Sequence, residues 1–239
     1  MISKEGVEYS YLENDSSKGC IVICSGANVT LQDSQWLQTE LFKYYSVLLY
    51  NRGGYGNSIL NVCTRTPDVV VDELRNLLVE IGINDVILLG ASLGGYYARL
   101  FTHKYPHFVK AVVTVDTPIC NIYSKIELYL PSEIKGYVKE KLSINESINT
   151  VVDSERNEIA KIEFARFSFH NKPVLAFYNS YLGEEASFVS ELIIKQAQIE
   201  AQKEQNVLLT YSASGHDIIS NDSDFFFNTF RKFVASLGV

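Results

Sequence analysis

The feature that most constrains the fold of this chain is a series of short apolar runs rich in β-branched residues. Longer segments with helical spacing separate these runs. Continuous runs without alternation between polar and apolar residues are typical of strands buried on both faces. The intervening segments include 33–45, where Asp33 or Ser34 is the candidate cap, and 66–82, with Pro67 in the first turn and Gly82 as a stop. The pattern predicts an α/β fold with a mostly parallel central sheet of about eight strands and helices on both faces. The apolar runs lie at 19–25, 45–50, 85–90, 110–116, 172–179 and 206–213.

Two segments depart from this rhythm. Residues 7–14, VEYSYLEN, alternate polar and apolar side chains and predict an antiparallel edge strand. Residues 118–170 contain helical patterns at 131–142 and 144–167 but no strand-like run, and they are too many for a simple connection. We interpret 118–170 as a small helical cap, or lid, inserted into a single domain whose core is 1–117 and 171–239. The alternative is a set of helices that shield one edge of the sheet.

Composition limits the classes of partner and the location. The 239 residues are 46% hydrophobic and carry a formal net charge of -7, which disfavours binding to nucleic acid. No apolar run approaches the ~20 residues of a membrane-spanning helix, and the first 15 residues lack the apolar core of a signal peptide. The four cysteines form no Cys-x-x-Cys pair, so no metal site is expected. We therefore expect a cytoplasmic protein with buried, reduced cysteines.

The stretch LLGASLGGY, at 88–96, contains the clearest chemical motif. The buried strand predicted at 85–90 leads into Gly90-Ala91-Ser92-Leu93-Gly94, and a helical pattern follows directly. Gly-x-Ser-x-Gly between a strand and a helix is the nucleophile elbow, in which a strained turn exposes the serine hydroxyl. An ordinary glycine-rich turn is the alternative. The motif makes Ser92 the candidate nucleophile.

The chain resembles the α/β-hydrolase superfamily over nearly its whole length. Besides the elbow, YNRGGYGNS at 50–58 is similar to the family's Asp-Arg-x-Gly-x-Gly-x-Ser loop, and 98–116 is similar to its elbow helix and next strand. Two departures are visible, since Asn51 stands where aspartate is common and Ala91 stands where histidine often precedes the serine. Neither departure removes a catalytic group.

The resemblance implies a catalytic triad in the chain order serine, acid, histidine. His216, in SASGHDI at 212–218, is similar to the family's Gly-His loop and is the candidate base. The acid has three candidates. Asp116, after the strand at 110–116, occupies a position similar to the acid of pancreatic-type lipases and is the lead. Glu184 is the alternative, followed by Glu185, although both glutamates also suit the first turn of a helix.

The resemblance also implies an oxyanion hole made of two backbone N–H groups. Leu93, which follows the nucleophile, supplies one, and Ala27 supplies the other from a loop where Ser25-Gly26 replaces the family's usual His-Gly. A plain turn is the alternative for this loop. Arg52 and Tyr55 are interpreted as bracing the 50–58 loop rather than contacting substrate. His103, His107 and His170 are interpreted as surface or structural residues.

Together these features predict a cofactor-independent serine hydrolase. The expected substrate is a small molecule with an ester, thioester or related acyl bond, as for a carboxylesterase, thioesterase or lactonase. A serine at the elbow argues against the carboxylate nucleophile of epoxide hydrolases and dehalogenases. No Gly-x-Gly-x-x-Gly fingerprint is present, so no nucleotide cofactor is expected. The alternative function is a non-hydrolytic protein that keeps the pocket and binds a ligand or partner.

Overall fold

The computed structural model describes residues 1–15, 19–61, 65–117, 151–160, 162, 167–181, 187–204 and 206–238. The strands are β1 Tyr9–Leu12, β2 Cys20–Cys24, β3 Ser46–Tyr50, β4 Val86–Ala91, β5 Val109–Val115, β6 Val174–Asn179 and β7 Val207–Ser212. The helices are α1 Leu31–Phe42, α2 Pro67–Ile81, α3 Leu93–Lys104, α4 Val151–Ala160, α5 Ser187–Lys203, α6 Ile218–Asn221 and α7 Ser223–Ser236. A short 3₁₀ turn, Pro106–Phe108, joins α3 to β5.

The strands form one sheet in the order β1-β3-β2-β4-β5-β6-β7. All neighbours are parallel except β1, which pairs antiparallel with β3 at the edge, as the alternation in 7–14 predicts. The described part of the chain thus contains seven strands, against the expected number of about eight. Strand β2 lies between β3 and β4, so the winding direction reverses there. Ligand sites of doubly wound sheets lie at such a switch point, outside the carboxyl ends of the strands.

Helices cover both faces of the sheet, as predicted. One face carries α2 and α3, whose buried side chains pack against Val22 and Leu88. The other face carries α1 and α7, which pack against Ile23 and Leu89. Adjacent residues of one strand therefore enter opposite cores, which explains why the strands read as continuous apolar runs.

The ends of α2 agree with the prediction from the sequence, whereas the cap of α1 does not. Helix α2 begins at Pro67 with Thr66 as its cap and ends at Gly82, whose φ of 73° is the left-handed conformation that glycine tolerates best. For α1, the expected cap at Asp33 or Ser34 is wrong, because Thr30 is the cap. Asp33 Oδ2 accepts the Thr30 N–H at 2.8 Å, so Asp33 is the third helical residue of a capping box.

Part of the predicted insertion is described. The segment 118–150, with the helical pattern at 131–142, lies outside the described residues, whereas the pattern at 144–167 gives α4. Glu155 of α4 is fully buried, and Ile159 joins the core on the side of α2 and α3. The insertion is therefore packed on the core through α4. Its role as a cap and the domain boundaries remain predictions.

Candidate active site

Ser92 lies in a sharp turn between β4 and α3. Its φ of 50° and ψ of −120° are strained values for a residue with a side chain. Its N–H donates to the Val115 carbonyl oxygen at 2.8 Å, which ties the turn to the end of β5. The side chain is half-buried. The backbone thus has the geometry of the nucleophile elbow that the motif predicts.

The glycines beside Ser92 are required by close backbone approaches. A Cβ on Gly94 would lie 1.8 Å from the Cys24 carbonyl oxygen, and a Cβ on Gly95 would lie 1.8 Å from Thr117 Oγ1. Only a residue without a side chain permits β2 and the residues after β5 to approach α3 so closely. Gly94 and Gly95 therefore permit the start of α3 to lie against the carboxyl ends of β2 and β5, beside the end of β4.

Asp116 and His216 form a direct side-chain contact. Asp116 follows β5, and His216 lies on the loop after β7, beside Asp217, which caps α6. His216 Nδ1 lies 2.6 Å from Asp116 Oδ2. Asp116 Oδ1 accepts the Asn179 N–H at 3.0 Å, so both carboxylate oxygens have a partner. With Nδ1–H donating to Asp116, His216 Nε2 carries the lone pair that a general base needs.

The contact alters the basicity of the imidazole. The hydrogen bond from His216 to Asp116 raises the pKa of His216 above its ordinary 6.5, partial burial opposes the shift, and the charge of Asp116 adds to it. The His216 side chain is 63% exposed, so solvent reaches the ring. A neutral, base-competent imidazole therefore predominates only at a pH above this raised pKa.

The end of β6 is the other position at which the resemblance places an acid. Glu184 and Glu185 lie outside the described residues. At the end of β6, where many family members carry the acid, this chain has Asn179, which is buried and whose Oδ1 accepts the Tyr181 N–H. Within the described part of the chain, Asp116 is the candidate acid whose carboxylate contacts His216.

The predicted oxyanion loop follows β2 and lies against the elbow. A Cβ on Gly26 would lie 3.6 Å from Ser92 Cβ, so the loop backbone is close to the nucleophile. Ala27 is partly buried, and the next residue, Asn28, has a φ of 58°. Leu93 is the first residue of α3, where an N–H has no intrahelical acceptor. Both backbone segments that we expect to hold an oxyanion thus border the serine.

The 50–58 loop is held by buried side chains. Arg52 is 3% exposed and Tyr55 is buried, which agrees with a bracing role rather than substrate contact. Asn51 Oδ1 accepts the Leu31 N–H at 2.6 Å, and its Nδ2 donates to Glu8 Oε2 at 2.6 Å. An aspartate at 51 would place a second carboxylate against Glu8, which explains the departure from the family pattern.

The remaining polar candidates lie away from this cluster or outside the described part. The His103 ring stacks on His170, whose Nε2 lies 3.0 Å from the His103 carbonyl oxygen, at the amino ends of the strands. Cys20 and Cys24 are buried, and burial raises the pKa of each thiol to about 12. Cys63 and Cys120 lie outside the described residues.

The comparison with known protein families agrees with this geometry. Residues 21–147 match the profile of the alpha/beta hydrolase fold, which is more than half of the chain. The chain belongs to the α/β-hydrolase fold family. The resemblance and the fold class inferred from the sequence are therefore confirmed.

Relatives of the chain are distant. It is 24% identical over 217 residues to the uncharacterized protein YbdG of Bacillus subtilis (strain 168), covering 88% of this chain and 61% of that protein. The chain thus spans about three fifths of the length of this relative. Among solved structures, a carboxylesterase from Nitrososphaera gargenis has a TM-score of 0.68 at 15% identity, covering 100% of this chain and 98% of that one. The enol-lactonase of Burkholderia xenovorans LB400 has a TM-score of 0.71 at 14% identity, covering 96% of each chain.

One further finding concerns membranes. Within the described ranges, no helix combines the length and the apolar character needed to cross a bilayer.

Proposed function

We propose that this α/β-hydrolase-fold protein is a serine hydrolase that cleaves an ester, thioester or related acyl bond of a small molecule without a cofactor. The observation that carries the proposal is the 2.6 Å contact between His216 Nδ1 and Asp116 Oδ2. Asp116 and Ser92 follow adjacent parallel strands, since Ala91 pairs with Val115. The fold shared with a carboxylesterase and an enol-lactonase also supports acyl-bond hydrolysis.

The proposed reaction begins with acylation. Ser92 Oγ attacks the carbonyl carbon while His216 Nε2 accepts its proton, and Asp116 stabilises the resulting imidazolium. The N–H groups of Ala27 and Leu93 donate to the oxyanion of the tetrahedral intermediate. The intermediate collapses, the bond to the leaving group breaks, and His216 gives the proton to that group. The acyl group remains bonded to Ser92 Oγ.

Deacylation repeats these roles with water. His216 Nε2 takes a proton from a water molecule, whose oxygen attacks the acyl carbon. The second tetrahedral intermediate expels Ser92 Oγ, which recovers its proton from His216, and the carboxylic acid product leaves. His216 carries the proton in both halves of the cycle, and water supplies the oxygen and hydrogens that the products gain, so the reaction balances without an oxidant or reductant.

Hydrolysis of chromogenic esters and thioesters tests the proposal. Wild-type protein should release the chromophore, with an initial burst for those substrates whose acyl-enzyme forms faster than it is hydrolysed. Ser92→Ala should abolish the burst while keeping the wild-type melting temperature. Equal hydrolysis by wild type and Ser92→Ala would contradict the proposal. A folded wild-type protein that binds acyl compounds without cleaving them would favour the ligand-binding alternative.

A further inference from the structure

A buried cluster of charges connects the insertion to the core of the proposed hydrolase. Arg52 is 3% exposed and Glu155, from α4, is 0% exposed. Arg52 Nε donates to Glu155 Oε2 at 3.1 Å, and the Tyr55 hydroxyl donates to the same oxygen at 2.9 Å. Arg65 lies on the other side of Glu155, with 3.7 Å between Nη2 and Oε1, and also pairs with Glu73. Two cations and two carboxylates thus balance in this cluster.

The opposite side of the Arg52 guanidinium contacts the predicted oxyanion loop. Nη1 donates to the Ser25 carbonyl oxygen at 2.6 Å, and Nη2 donates to the Gly26 carbonyl oxygen at 3.0 Å. A guanidinium is planar and its donors have a rigid arrangement. Holding Nε at Glu155 therefore sets the directions in which Nη1 and Nη2 point.

The contact at Gly26 controls the direction of the Ala27 N–H. The Gly26 carbonyl and the Ala27 N–H belong to one planar trans peptide unit and point in opposite directions. A hydrogen bond that fixes the carbonyl oxygen consequently fixes the N–H. The same peptide lies beside the nucleophile, because a Cβ on Gly26 would be 3.6 Å from Ser92 Cβ.

We propose that Arg52 and Glu155 are positioning residues for the oxyanion hole, through which helix α4 of the insertion aligns the Ala27 N–H. The inference rests on the proposed function. Neither side chain contacts the substrate in this account, since both are buried behind the loop. Arg52 orients the peptide, and Glu155 both neutralises and orients Arg52. The insertion is then part of the catalytic framework as well as a cover on the core.

The test is the rate at which a fluorophosphonate modifies Ser92, followed by intact mass. The phosphonyl oxygen occupies the oxyanion hole during this reaction, so the rate reports the alignment of its donors. Glu155→Gln removes the charge but keeps the shape, and the rate should fall about tenfold to a hundredfold. The pH midpoint of labelling should stay at the wild-type value, because the contact between His216 and Asp116 involves neither residue.

Glu73→Gln is the matched control. Glu73 pairs with Arg65 in the same cluster and accepts the Gly53 N–H at 3.2 Å, a bond that the Oε1 of a glutamine can also accept. Among the described residues, the hydrogen bonds and ion pairs of the Arg52 side chain go to Glu155 and to the carbonyl oxygens of Ser25 and Gly26. This variant should lose thermal stability as Glu155→Gln does, yet label at close to the wild-type rate. Equal slowing in both variants would indicate general loosening of the cluster and would overturn the positioning role.

A double variant tests the same inference if Glu155→Gln does not fold. Arg52→Met combined with Glu155→Leu removes both charges together, a change that buried ion pairs often tolerate. It should fold and still label slowly, because the Gly26 carbonyl has lost its donor. Wild-type labelling in this double variant, or in folded Glu155→Gln, would refute the inference alone. A wild-type protein that takes no adduct would refute the proposed function and this inference with it.

Discussion

Replacing Asp116 with asparagine tests the pairing on which the proposed triad depends. The amide has the size of the carboxylate but can donate a hydrogen bond to His216 Nδ1, which favours the tautomer with a proton on Nε2. That tautomer cannot accept the Ser92 proton. In enclosed serine protease triads this change lowers kcat about 10⁴-fold. Because the His216 side chain is 63% exposed and can reorient, we expect about a 10³-fold loss.

The same substitution should move the pH dependence. The hydrogen bond to Asp116 is the main cause that raises the pKa of His216 above 6.5, and only the neutral imidazole is a base. Wild-type activity should therefore rise with pH through a midpoint above 6.5. Asp116→Asn removes the carboxylate that raises the pKa of His216, whereas the partial burial that lowers this pKa remains. The midpoint of the pH profile should therefore fall. Rates of fluorophosphonate labelling from about pH 5 to about pH 9 measure both effects.

Glu184→Gln is the control, because Glu184 is the first alternative to Asp116 as the acid. It should keep both the wild-type rate and the wild-type midpoint. Labelling of Asp116→Asn at the wild-type rate with an unchanged midpoint would refute the role of Asp116. It is also refuted if Glu184→Gln causes the larger loss.

Two further substitutions, each with a matched second variant, test a close backbone approach and a side-chain contact near the site. Gly94→Ala places a Cβ against the Cys24 carbonyl oxygen and should cost about 1–3 kcal/mol or more of unfolding free energy and abolish labelling. Gly82→Ala is the matched variant, because no atom lies near its new Cβ. It should lose only the ~1–2 kcal/mol of unfolding free energy that a left-handed alanine costs, and it should be labelled at the wild-type rate. Thermal melts measure the stability of both variants, and mass spectra measure their labelling. Asn51→Asp should destabilise the fold increasingly as rising pH ionises both carboxylates, and Glu8→Gln in the same chain should restore stability. Denaturant unfolding at acidic and neutral pH checks this, and an Asn51→Asp protein as stable as wild type at neutral pH would contradict it.

The fold and the nucleophile elbow could be predicted from patterns of neighbouring residues. The strand at 86–91 is apolar on both faces and is followed at once by the glycines of the turn, so its place in the sheet and its motif are readable from adjacent residues. Helix α2 is equally local, since Pro67 and Gly82 mark its ends. Such features depend on the conformational preferences of a few neighbouring residues, which a sequence displays directly.

Contacts between residues far apart in the chain could not be predicted from the sequence. The spacing of residues does not show that Glu155 reaches Arg52, which is 103 positions away, or that Glu8 takes the amide of Asn51. The sequence also left undecided which carboxylate pairs with His216, because that depends on where the loop after β7 meets the end of β5. A buried glutamate inside a helical pattern carries no local sign of its partner.

Intact mass after incubation with a fluorophosphonate shows whether Ser92 is an activated nucleophile. We expect one phosphonyl adduct per wild-type chain, no adduct on Ser92→Ala and strongly slowed labelling of His216→Ala, with all three proteins folded. An adduct that persists in Ser92→Ala, or a folded wild-type protein that takes none, would contradict an activated serine at position 92.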